Sequence, residues 1–203
     1  MGATDVDGKK LKVEGESRDQ LIKDLATVFG DKTSLLYFND DGFLQLRGMD
    51  NAFKKGLDKD QVKAFKGLFK AMKDAQITKI EYTDQVQITT NDGGTQNMDL
   101  VKSFGGGAYF ARESTIYISP KAGDIDISLD NFSSSGSLFQ MVKIEQNTTS
   151  VLFHEIGERN LGQNNYRGTV IDFENTVRSV IGLSKRPYDI YHSNIIPTHE
   201  QDY

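Results

Sequence analysis

The residues best placed to do chemistry are His154, Glu155 and Glu158, inside the run Thr149-Ser150-Val151-Leu152-Phe153-His154-Glu155-Ile156-Gly157-Glu158. If that run is helical, positions i and i+4 lie one turn apart on one face, so His154 and Glu158 point the same way. An imidazole and a carboxylate at that spacing can both reach one divalent ion, zinc or another. Glu155, between them, stands where a carboxylate can hold and deprotonate a water on such an ion. The same spacing also serves plain structure: Glu155 with Arg159, and Glu174 with Arg178, are i,i+4 pairs of ordinary salt-bridge geometry.

Two helices have to position these groups. Asn147 or Thr148 can cap the first, which runs to residue 161 and is closed by Gly162. Leu152, Phe153 and Ile156 give it an apolar side that packs on a sheet. Gly157 lies mid-helix, where it costs about 1 kcal/mol relative to Ala, a cost that points to close approach of a second backbone. A polar loop over 163–168 leads to a second helix over 169–181, closed by Gly182. A short connection makes the helices antiparallel neighbours, which lets Glu174 return toward His154 and Glu158. A catalytic zinc keeps three protein ligands and one open position. The candidate set is therefore His154, Glu158 and Glu174, with His192 as a further candidate ligand. Glu155 is the candidate general base, and Tyr188 or Tyr191 the candidate oxyanion stabiliser. His199 lies near the end of the tail over 195–203, which is expected to be mobile.

The run His154-Glu155-Ile156-Gly157-Glu158 differs at its last position from the His-Glu-x-x-His helix of zinc metallopeptidases. Followed by Glu174-Asn175-x-x-Arg178 and Gly182-Leu183-x-x-Arg186-x-Tyr188, it resembles bacterial zincin-type effector and toxin domains. Some toxin domains at the C-termini of large Rhs-type proteins are similar and carry His-Glu-x-x-Glu. The likeness covers about the last 55 residues. It implies a zinc-dependent metallohydrolase, a peptidase acting as a bacterial toxin or effector on a protein or peptide substrate, with a cognate immunity protein as partner. It also implies a gluzincin-like third ligand at Glu174. The glutamate at 158 makes a harder, more anionic site than two histidines would, favouring oxygen-loving metals. It equally supports a second reading, a non-catalytic protein-binding module on a degenerate zincin scaffold.

The rest of the chain predicts an α+β fold with an antiparallel or mixed sheet. Ser17-Arg18-Asp19-Gln20 reads as a capping box for a helix ending at Phe29. Strands over 34–38 and 43–46 flank the turn Asn39-Asp40-Asp41-Gly42. A second helix starts at Asp58 or Asp60, and strands follow over 77–82, 85–90 and 96–101. The N-terminal half is thus α-β-β-α-β-β-β, and the C-terminal half holds the two site helices. Phe104-Gly105-Gly106-Gly107-Ala108-Tyr109 lacks the Gly-Lys-Ser/Thr of a phosphate loop and reads as a flexible connector. Strands are expected over 115–119 and 125–129, either of which can pair with an extended substrate. Asp124, Asp126 and Asp130 read as a solvated strand face, without the turn and closing Glu of a calcium loop.

Composition narrows the classes. A net charge of −5 argues against nucleic acid as partner, and no apolar run approaches the roughly 20 residues of a membrane helix. With no cysteine and three histidines, any metal is held by His, Asp or Glu. The N-terminus lacks the apolar segment of a classical signal peptide. The expected location is secreted or translocated by another route, or cytoplasmic. Three regions are expected: a disordered leader over 1–12, an α+β domain over 13–103, and a zincin-like region over 104–203.

Overall fold

A computed structural model describes residues 10–89, 93–129, 140–161 and 167–188. It is an α+β fold built on one mixed four-stranded sheet. Strand β1 (Leu11–Val13) runs parallel to β4 (Thr78–Tyr82), β4 runs parallel to β8 (Thr115–Ile118), and β8 pairs antiparallel with β7 (Gly107–Phe110). Each parallel pairing needs a long crossover. The first crossover carries α1 (Ser17–Phe29), the hairpin β2 (Leu36–Phe38) and β3 (Leu44–Leu46), α2 (Asp50–Lys54) and α3 (Lys59–Lys73). The second carries the hairpin β5 (Gln85–Thr89) and β6 (Thr95–Asp99), then α4 (Leu100–Phe104). After β8 come the hairpin β9 (Ile125–Leu129) and β10 (Gln140–Ile144), then α5 (Thr148–Leu161) and α6 (Arg167–Val180).

Strand alternation separates two apolar layers. Ile116 and Ile118 of β8, with Tyr109 of β7, face the main core among α1, α3, α5 and α6. Tyr117, Ala108 and Phe110 face a smaller cluster under β5, β6 and α4. The main core is aromatic at its centre: Phe53 stacks on Phe65 at 4.2 Å, and Phe29 meets Phe153 of α5 edge-on at 6.2 Å. The sheet and this core draw on residues from both sides of position 103.

Several expectations change in detail. Of the two candidate starts of the second helix, Asp58 is the one that caps α3, through a capping box with Gln61. Ser17 forms no capping box; its hydroxyl accepts the backbone N–H of Tyr82 and ties α1 to β4. Residues 30–35 form a 3-10 turn rather than the start of a strand, and residues 100–104 form α4 rather than continuing β6. The glycine run is not a connector. Gly105, at φ +66°, closes α4 in the left-handed region, and Gly107 opens β7.

Candidate functional site

Site helix α5 is buried along nearly its whole length, from Thr149 to Gly157 and again at Arg159. It opens with Asn147, whose side-chain oxygen accepts the Ser150 N–H at 3.0 Å. Val151, Leu152, Phe153 and Ile156 join the core. Two further directions around the helix remain, one toward α6 and one toward β7.

Toward α6 lie His154 and Glu158, with His154 Nε2 3.6 Å from Glu158 Oε1. On the other side of the ring, His154 Nδ1 is 2.9 Å from Glu174 Oε2 of α6. Glu174 is 1% exposed, and Arg178 donates to its Oε1 at 3.1 Å while Arg186 donates to Oε2 at 3.3 Å. Burial pushes the Glu174 carboxyl up, but His154, Arg186 and Arg178 outweigh it and hold it down at about 2. Burial also pushes His154 down, and hydrogen bonds to Glu158 and Glu174 reverse that, raising it to about 10. The imidazole is therefore charged at neutral pH in the metal-free protein, with Nδ1–H donating to Glu174.

The second sequence block is the frame around Glu174. Arg178 also donates to the carbonyls of Ser184 (2.6 Å) and Glu145 (2.5 Å), joining α6 to the segments before α5 and after α6. Asn175 clasps the backbone of Arg186 at two points, accepting its N–H at 2.6 Å and donating to its carbonyl at 2.8 Å. Each polar residue of Glu174-Asn175-x-x-Arg178 thus serves to fix Arg186 or Glu174 itself.

Toward β7 lies Glu155, 4% exposed. Its Oε2 is buried without a hydrogen-bond partner among the described residues. Desolvation, helped by the charge of Glu158, raises this carboxyl to about 8. Strand β7 comes so close that a Cβ on Gly107 would sit 2.4 Å from Val151 and 3.0 Å from Glu155 Oε1. On the α6 side, a Cβ on Gly157 would meet Phe173 at 3.2 Å and Val170 at 3.3 Å, the close helix approach that a mid-helix glycine suggests.

These groups open into a pocket of about 310 Å³. Its polar wall holds His154, Glu155, Glu158, Glu174 and Arg186; its apolar wall includes Phe104, Phe110 and Ile125. The structure brings His154, Glu155, Glu158 and Glu174 together. The Tyr188 hydroxyl donates to Asp172 at 2.6 Å, and Tyr188 is not part of the pocket lining. Tyr191, His192 and His199 lie outside the described residues. Sequence reasoning gave no role to Arg186, Tyr109 or Gly107, all of which line the pocket; Arg186 stood within the quoted motif, but neither strand residue carried a signal.

Two donors about 2.1 Å from a tetrahedral ion stand roughly 3.4 Å apart, so the His154–Glu158 spacing fits a shared ion. Glu174 does not fit as a third ligand in this arrangement. It holds the nitrogen facing away from Glu158, as the carboxylate partner of a ligating histidine does. No group of three or more His, Asp or Glu side chains suited to a metal is assembled among the described residues. No helix among them is long and apolar enough to cross a membrane. No protein-family model, curated protein or solved structure matches the chain.

Proposed function

We propose that the chain is a zincin-like metallohydrolase, a peptidase serving as a bacterial toxin or effector, with His154 and Glu158 as ligands of a zinc or other divalent ion. The observation that carries this reading is one imidazole with Nε2 turned to Glu158 and Nδ1 held by a caged carboxylate, beside the buried Glu155 carboxyl, whose Oε2 has no hydrogen-bond partner among the described residues. Such an ion polarises a carbonyl and acidifies a water. With the ion in place its positive charge would favour the ionised Glu155, which would take the proton of the attacking water and return it to the leaving amine. Glu174 fixes the ring and is a positioning residue rather than a ligand. His192 is the proposed third ligand. The substrate is an extended peptide that pairs with β7, an edge strand of the four-stranded sheet beside the pocket; β8 is an inner strand of that sheet, and β9, paired with β10 and bringing Ile125 to the pocket, is the second candidate. A cognate immunity protein would cover this opening.

The alternative, a protein-binding module without hydrolysis, draws on Glu158 in place of histidine. Digestion of a peptide library with the zinc-loaded protein, read by mass spectrometry, separates the two. Cleavage that falls by about 10²-fold or more in Glu155→Gln, with zinc still bound, is the expected result. Cleavage unchanged in that variant would contradict the role of Glu155; no cleavage by the wild type would favour the binding module.

A further inference from the structure

A second buried carboxylate, far from the pocket in sequence, grips the start of the site helix. Asp24 of α1 is 3% exposed and accepts from Thr148 Oγ1 at 2.7 Å and Thr149 Oγ1 at 3.1 Å, the first two residues of α5. Its other oxygen, Oδ2, accepts from the Tyr82 hydroxyl of β4 at 2.6 Å, while Gln20, one turn back, donates at 3.4 Å to the oxygen the threonines share, Oδ1. One carboxylate therefore joins α1, the central sheet and the N-terminal end of α5. Its charge is also favourable there, because a helix N-terminus carries partial positive charge.

Hydrophobic contacts alone set α5 poorly in rotation. Its apolar side, Val151, Leu152, Phe153 and Ile156, packs against several neighbours, and apolar contact is not directional. Two adjacent hydroxyls captured by one carboxylate are directional. They fix the helix about 5 residues before His154, so a rotation there swings the imidazole away from Glu174 on α6 and Glu155 away from β7.

We propose that Asp24 is a positioning residue for the candidate site: by holding Thr148 and Thr149 it sets the rotation of α5 that aims His154 at Glu174 and the pocket. This rests on the metallohydrolase reading only for its consequence on metal affinity. The geometric claim stands apart from it.

The test compares Asp24→Ala with Val28→Ala, a core truncation on the same helix that touches none of these hydroxyls. Two quantities are read on each full-length protein: the downfield imidazole N–H signal of His154 by NMR, and zinc affinity by titration with zinc chloride alone. Asp24→Ala, which leaves neither hydroxyl an acceptor on α1, should shift or broaden the His154 signal and weaken zinc binding by about tenfold, as loss of a residue orienting a ligand does. Val28→Ala, at a similar fall in melting temperature, should leave both unchanged. If Asp24→Ala fails to fold, Thr148→Val with Thr149→Val removes the two hydroxyl bonds from the α5 side and should give the same shift. A His154 signal indistinguishable from wild type in a folded variant lacking these bonds overturns the proposal. A wild type that binds no zinc while the signal still responds upholds the positioning role and counts against the metal reading alone.

Discussion

At the scale of residues, the site is a charge arrangement whose strength depends on pH. Glu155, raised from 4.5 to about 8, keeps in the native state a proton that the unfolded chain gives up. Its contribution to stability is full below pH 4.5 and is lost as pH rises toward 8. His154, raised from 6.5 to about 10, behaves likewise over the higher window. Glu174, lowered from 4.5 to about 2, contributes above pH 4.5 and loses that as pH falls toward 2. The melting temperature of the metal-free protein should therefore peak near about pH 5 and fall on both sides. Glu155→Gln should delay the alkaline fall until about pH 6.5, where His154 takes over. Calorimetric scans of both proteins across this range check it; identical alkaline limbs would show that Glu155 titrates as an ordinary carboxyl.

At the scale of elements, the site depends on how closely β7 and α6 approach α5. Gly107→Ala would drive a methyl group into Val151 and Glu155, and overpacking of this kind costs about 1–3 kcal/mol. Gly123→Ala, whose new atom would meet only the Lys121 carbonyl at 3.8 Å, should stay within about 0.5 kcal/mol of wild type. Urea unfolding of the two variants measures the difference, and equal midpoints would mean that β7 moves freely against α5. This contact was not legible in the sequence. Helices α5 and α6 were, because caps, closing glycines and apolar spacing all act within a turn or two of the residues they govern. The glycine run 105–107 misled because its reason is tertiary. Gly105 closes a helix, Gly106 lies against Ala122 and Gln146, and Gly107 lets a strand lie against α5; none of these needs is written in the neighbouring residues. Ser17 misled for the same reason, its hydroxyl being taken by β4 rather than by its own helix. Glu174 was correctly brought to His154 by the antiparallel helix pairing. Its side of the ring was set by Arg178 and Arg186, which spacing alone does not rank.

At the scale of the whole molecule, the N-terminal half is part of the site's support. Strands β1 and β4 form half of the sheet on which α5 rests, Phe29 packs on Phe153, and Asp24 holds the first residues of α5. Lys63 of α3 also donates to Thr176 of α6 at 2.9 Å, and Asn160 of α5 donates to the Gly67 carbonyl of α3 at 2.9 Å. A pocket built this way holds its charges in fixed places at the junction of a helix pair and a sheet edge. The most direct test of the account is the zinc content of the full chain after chelation, dialysis against zinc chloride and removal of free ion, wild type against His154→Ala. The account predicts close to one equivalent in the wild type and none in the variant. A wild type that retains no zinc, or a variant that retains as much, would contradict a metal held by His154 and Glu158.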